Sequence, residues 1–136
     1  MTWDVNKPDL KHSLITEVLL EHADKRSNKI AVIHERDGSE PESITYRELI
    51  DTSLRLASGL HRRNLNGKTV GLLLPAGLQF ATALLGCFFC GAIAVPLAPV
   101  GRRKSRAENI MRTIANCNAE IVITTNNDLI LSLIHI

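Results

Sequence analysis

The chain predicts an α/β fold: parallel strands joined by helical crossovers. Two observations carry this. A run from Thr69 to Gly101 holds no Asp, Glu, Lys, Arg or His, and its breakers cut it into short apolar pieces. On both sides of that run, strand-like segments alternate with amphipathic segments opened by Thr/Ser-x-x-Glu boxes. Strands alternating with helices favour parallel pairing through right-handed crossovers.

In chain order, Ser13 is the expected cap of a first helix, with Leu14, Ile15, Val18 and Leu19 on one face. Ser27-Asn28 ends it. Ile30–Ile33 reads as a short strand, Arg36-Asp37-Gly38-Ser39 as a turn and Ser43–Thr45 as the return strand of a hairpin. Thr45-Tyr46-Arg47-Glu48 matches a capping box. The helix behind it should bury Leu49, Ile50, Leu54, Ala57 and Leu60, keep Asp51 and Arg55 wet, and stop at Asn66-Gly67.

Inside the uncharged run, Pro75, Gly77 and Gln79 separate Val70–Leu74 from Leu78–Cys90, and Pro96 and Pro99 close Ala92–Val95. A membrane span needs about 20 uninterrupted apolar residues. Five-residue apolar pieces between breakers instead suit strands buried on both faces, so strand–helix–strand is the expectation. Ser105-Arg106-Ala107-Glu108 reads as a second capping box, opening a helix with Ile110, Met111 and Ile114 inward. Asn116-Cys117-Asn118 ends that helix, and Ile121–Ile123 is a further buried strand.

With 136 residues and a formal net charge of +2, the chain exerts no strong pull on nucleic acid or anionic lipid. The polar MTWDVNKPDLKHS start shows no signal peptide, and three cysteines, two of them in the apolar run, suit reduced thiols in a cytoplasmic setting. Cys87-Phe88-Phe89-Cys90 lies late in an apolar helix, the wrong end for a redox dithiol, and is read as core. His12, His22, His34 and His61 share no spacing and are read as surface or satisfied residues. Arg102, Arg103, Lys104 and Arg106 are read as a solvated basic loop in preference to a phosphate grip. No Walker loop, G-x-G-x-x-G or G-x-S-x-G occurs.

Two segments carry a family resemblance. Ile44-Thr45-Tyr46-Arg47-Glu48-Leu49 resembles the opening motif of acyl- and aminoacyl-adenylate-forming (AMP-binding) enzymes, and Gly86–Pro96 resembles their next motif, a helix end running through G-x-x-x-V-P into a strand. The resemblance covers about residues 11 to 126. Within the superfamily, Gly86-Cys87 with Gly91–Pro96 looks most like fatty-acyl-AMP ligases; the A-x-Y-V-P-L-D-P of peptide-synthetase adenylation domains is weakened by Ala94 and Ala98. Acyl-CoA ligases remain an alternative.

The resemblance implies ATP and Mg²⁺ as cofactors, a fatty acid as substrate and an acyl carrier protein or CoA as acceptor. It also implies that the phosphate loop, adenine and ribose contacts and catalytic Lys lie beyond residue 136. No catalytic, cofactor-binding or metal-binding residue is therefore assigned here. Expected organisation is a lead at 1–12, a partial N-terminal adenylation domain at 13–130 and a foreign tail at 131–136. That tail, Leu131-Ser132-Leu133-Ile134-His135-Ile136, is similar to a translated transposon adapter. A non-catalytic truncated interaction module is the competing class.

Overall fold

The computed structural model describes residues 14–97 and 104–125. The elements run α1 (Ile15–Lys25), β1 (Ile30–His34), β2 (Glu42–Thr45), α2 (Tyr46–Arg62), β3 (Thr69–Leu73), α3 (Leu78–Cys90), β4 (Ile93–Pro96), α4 (Lys104–Asn116) and β5 (Ile121–Thr124). β1 and β2 form an antiparallel hairpin, and β4-β3-β5 form a parallel sheet in that order. The α/β expectation holds, with the uncharged run supplying β3, α3 and β4.

β3 is the centre. Val70, Leu72 and the following Leu74 point into a core shared with Ala57, Leu60, Ala83, Cys87 and Cys90 of α2 and α3. Leu73 points the other way, into a core with Leu97, Ile110 and Ile114 on α4's side. The arrangement follows from handedness. The crossover from β3 through α3 moves to one edge, and the crossover from β4 through α4 moves back past β3 to the other. Right-handed connections travelling in opposite directions put their helices on opposite faces. Among the described residues no helix is long and apolar enough to cross a membrane.

The Thr45 box forms as expected. The Thr45 hydroxyl accepts from the Glu48 amide at 3.2 Å, and Glu48 Oε2 accepts from the Thr45 amide at 3.0 Å. The next free amides of α2 are met by the chain before β1: Tyr46 N–H donates to Lys29 O at 3.0 Å and Arg47 N–H to Ser27 O at 3.1 Å. α2's start therefore also clamps the turn between α1 and β1.

Several expectations need correction. Leu14, not Ser13, occupies the N-cap of α1, and Ser13 lies outside the described residues. Leu14 and Ile15 are exposed, because α1 leans on α2 and α3 with its Val18–Leu19 side. On α2, Leu54 is 39 % exposed while Ser53 is fully buried; the Ser53 hydroxyl donates to Leu49 O at 2.7 Å, so it enters the core with its polarity satisfied. α2 ends before Asn66. Asn64 takes the left-handed conformation (φ 59), with Leu65 N–H returning to Leu60 O at 3.2 Å and Asn64 N–H to His61 O at 2.9 Å, the Schellman pattern.

β4 starts at Ile93, since the Ala92 amide is already used on Cys87 O at 2.9 Å to close α3. α4 begins at Lys104, so Ser105 sits inside its first turn and is not its N-cap. The basic-loop residues Arg102 and Arg103, the side chains of Lys104 and Arg106, His12, the 1–12 lead and the 131–136 tail lie outside the described residues.

Asn66 has a different role from helix stop. Its Nδ2 donates to Cys90 O at 2.9 Å, tying the β3 entry to the end of α3. Gly91 (φ +76) lies beneath it, and a Cβ there would fall 2.6 Å from Asn66 Nδ2.

Replacing Gly91 with Ala imposes both left-handed strain and loss of that bond. In chemical denaturation we expect a cost above that of Gly67→Ala, which carries the same left-handed strain (φ +71) of about 1–2 kcal/mol but whose Cβ meets open space. Equal costs at the two positions would show that the Asn66 contact is unimportant.

Thr45→Ala should cost about 1 kcal/mol. Hydrogen bonds from the backbone and side chain of Thr45 lower the Glu48 pKa below its ordinary 4.5. A depressed folded-state value means that the contribution is present above pH 4.5 and is lost as pH falls through the folded value. Glu48→Gln should flatten the stability curve in that acidic window; an unchanged pH dependence would contradict the assignment.

Candidate functional site

In open parallel sheets, ligands gather at the carboxyl ends of the strands. Here that end presents a recess of about 580 Å³ lined by Thr52, Leu56, Leu74, Leu78, Gln79, Thr82, Ala83, Ile123, Thr124 and Thr125. The sequence builds it simply. β3 ends at Leu73, the Pro75-Ala76-Gly77 turn redirects the chain, and α3 begins at Leu78. Gly77, the N-cap, adopts φ 148 and provides no side-chain cap for the first amides of α3. β5 then delivers Thr124 and Thr125 alongside.

The chemistry of this recess is narrow. Its lining holds hydroxyls, one carboxamide and a helix N-terminus over an apolar floor, with no ionisable side chain. One hydroxyl is committed, since Thr52 donates to Glu48 O at 2.7 Å. Thr124 Oγ1 is buried with no partner among the described residues. Such a surface hydrogen-bonds a neutral or singly charged group, yet it cannot balance a triphosphate, which needs Lys, Arg or metal. Nor do the residues fit Mg²⁺: the lining offers no carboxylate, and no cluster of His, Cys, Asp or Glu suited to a metal occurs among the described residues.

The C-x-x-C pair is confirmed as core. Cys87 and Cys90 are buried against β3, and burial, with Cys90 nearby, pushes the Cys87 thiol up to about 11. His22 packs edge-on against Tyr46 with centroids 5.1 Å apart, and His61 is exposed. His34 departs from the expectation of a surface or satisfied histidine. Its Nδ1 is buried without a hydrogen bond, with Glu42 Oε2 at 3.9 Å, beyond bonding reach. The ring lies over Gly77, where a Cβ would stand 3.4 Å from Nδ1. Alternation along β1 alone gave no sign of this packing.

Residues 19–135 match the AMP-binding enzyme family. The chain belongs to that family. An acetyl-coenzyme A synthetase from Methylobacillus flagellatus is 34% identical over 106 residues, 77% of this chain and 16% of that protein. The long-chain-fatty-acid–AMP ligase FadD26 of Mycobacterium tuberculosis is 32% identical over 88 residues, 62% of this chain and 15% of its own length. The crystal structure of a fatty acid AMP ligase from Legionella pneumophila superposes with a TM-score of 0.82 at 25% identity, over 93% of this chain and 22% of that one. The chain thus spans only about a sixth of these curated relatives.

Thiol labelling checks the core reading. At mildly alkaline pH, far below the Cys87 value, half-buried Cys117 should react first, with Cys87 and Cys90 reacting only on unfolding. Rapid labelling of the α3 pair in folded protein would restore the redox or metal alternative.

Proposed function

We propose that this chain is the opening segment of a fatty-acyl-AMP ligase. The parent enzyme joins a fatty acid to ATP, releasing pyrophosphate, and passes the acyl group to the phosphopantetheine of a carrier protein. The single observation that carries this reading is the superposition on the Legionella fatty acid AMP ligase over 93% of the chain. The Gly86-Cys87 and Gly91–Pro96 pattern supports it. A second reading, an acyl-CoA ligase, draws on the 34% identity to acetyl-coenzyme A synthetase.

Chemistry supports leaving catalysis to residues outside the described segment. Attack of a carboxylate on the α-phosphorus builds negative charge that positive groups must meet. The recess at the carboxyl end of the sheet has none, so no residue of this chain is assigned to catalysis, to ATP or to Mg²⁺. The role assigned to residues 13–130 is architectural: to set the sheet and the α3 turn on which the remainder of the domain is built. Residues 131–136 are read as a foreign tail, which resequencing of the locus tests. Reduced Cys87, Cys90 and Cys117 fit a cytoplasmic enzyme.

Pyrophosphate release decides the division of labour. The 136-residue chain with ATP, Mg²⁺ and a fatty acid should release none, whereas the full-length gene product should do so and should load a carrier protein in preference to CoA. Release by the short chain would place catalytic groups within it; CoA loading would transfer the parent to the acyl-CoA ligases.

A further inference from the structure

Two sets of unsatisfied groups lie side by side where the hairpin meets α3. The first is the start of α3. Gly77 holds its N-cap without a side chain, and the amides of Leu78, Gln79 and Phe80 find no acceptor among the described residues. Such amides, at the positive end of a helix dipole, need an acceptor. The second is His34 of β1. Its side chain is 26 % exposed, yet Nδ1 is buried and bonded to nothing among the described residues. The imidazole lies against Gly77, with Nδ1, Cε1 and Cγ 3.4, 3.5 and 3.8 Å from where a Cβ would stand.

A ring nitrogen is an acceptor or a donor, and protonation decides which. With the hydrogen on Nε2 alone, Nδ1 can accept from an α3 amide and close the helix that Gly77 leaves open. With both nitrogens protonated, Nδ1 only donates and the amides repel it. Its acceptor is then Glu42, the partner of His34 across the hairpin. Glu42 Oε2 stands 3.9 Å from Nδ1 and already accepts from Arg36 Nη2 at 2.8 Å. A charge-assisted bond of about 2.8 Å requires a shift of roughly 1 Å. One partner sits at the turn before α3 and the other on β2, so the charge on the ring selects which segment holds it.

The charged groups around the ring favour such a choice. The turn and α3 bring no Asp, Glu, Lys, Arg or His, because the run from Thr69 to Gly101 has none, and Cys87 and Cys90 of α3 lie in the core. β2 brings Glu42, and the turn after β1 brings Arg36, with Glu35 and Asp37 exposed. α2 also packs on the hairpin. Its Glu48 is held by Thr45, its Tyr46 packs on His22, and Arg47, Asp51 and Arg55 are exposed.

We propose that His34 is a proton-operated latch between the hairpin and the carboxyl end of the sheet. Neutral, its Nδ1 caps the first turn of α3 beside Gly77; protonated, the ring releases α3 and bonds Glu42. Leu78 and Gln79 of that turn line the recess, so acid loosens the rim of the recess. The proposal does not depend on which acid the parent activates.

The test is an NMR titration of the 136-residue chain over about pH 5 to 8, where histidine changes charge. At the alkaline end the His34 nitrogen shifts should show Nδ1 bare and Nε2 protonated. There at least one amide of Leu78, Gln79 and Phe80 should be protected from hydrogen exchange, relative to the intrinsic rate at each pH. That protection should fall about fivefold as the ring gains its proton, the scale of one hydrogen bond. His34→Asn keeps an acceptor near the Nδ1 position and does not titrate, so protection should persist to the acid end. His34→Phe keeps a ring without an acceptor, so protection should be low throughout. Glu42→Gln should move the loss to more acid conditions.

A proton on Nδ1 at the alkaline end overturns the proposal, as does protection in the α3 turn that does not follow the His34 titration. The unsubstituted chain decides both points even if a variant fails to fold. Acid loss of protection in His34→Asn would assign the effect to another group and overturns the proposal too. So does an unaltered transition in Glu42→Gln. Packing alone predicts that His34→Phe matches the unsubstituted chain at the alkaline end, and that result is equally fatal.

Discussion

Everything in this segment is arranged around the burial of β3. Its side chains carry no charge, and it is hydrogen-bonded along both edges, to β4 and to β5. A strand so enclosed needs apolar cover above and below, because nothing polar on it could be solvated. The opposite-going crossovers supply that cover, α3 with α2 on one face and α4 on the other. Gly71 shows how close the packing is. A Cβ there would lie 3.1 Å from Leu97 Cδ1 and 3.2 Å from Val122 Cγ2, the side chains that flank it on α4's side. The same closeness recurs between helices, where Gly86 on α3 leaves room for Leu56 of α2.

Three helices end by the same device. Asn64, Gly91 and Asn118 each take positive φ, and each is followed by an amide that reaches back to the helix: Leu65 to Leu60, Ala92 to Cys87 and Ala119 to Ile114. These ends set where β3, β4 and β5 begin, since the residue released from the helix enters the strand within a few positions. Strand register therefore depends on helix termination as much as on strand propensity. Glu120 illustrates this: its amide donates to Thr69 O at 2.9 Å directly after the turn at Asn118.

The functional reading follows from what the carboxyl end of the sheet holds. A recess of hydroxyls, a carboxamide and a helix N-terminus is a place to orient a group, without the charge needed to drive adenylation. Adjacent to it, meeting at Leu56 and Ile123, runs a groove along α2. One face carries α4 over Leu73, with Val95 and Val122 partly covered, and the other carries α2 and α3 over β3, with Ile121 and Ile123 of β5 partly covered. That partial cover matches a segment covering about a sixth of its relatives' length.

Much of this was legible in the chain because it rested on local rules. Breakers on each side of Leu78–Cys90 delimited α3, Asp37-Gly38 marked the hairpin turn, and Thr45 with Glu48 announced α2. Helical spacing named Leu49, Ile50, Ala57, Leu60, Ile110 and Ile114 as core, and the ordered motifs pointed to the AMP-binding family. The errors came where a neighbour's identity decided. Ser53 displaced Leu54 from the interior because the direction from which α3 and the sheet approach α2 selects the face, and an i−4 carbonyl satisfies the hydroxyl. Asn66 reads locally as a helix stop because its partner, Cys90 O, is distant in sequence. The sequence by itself determined the elements, since spacing, caps and breakers act within a few residues. Only the tertiary structure decided which side of α2 is buried, that His34 rests on Gly77 and that Gly59 opens on a groove, because each depends on contacts between segments brought together by the crossovers.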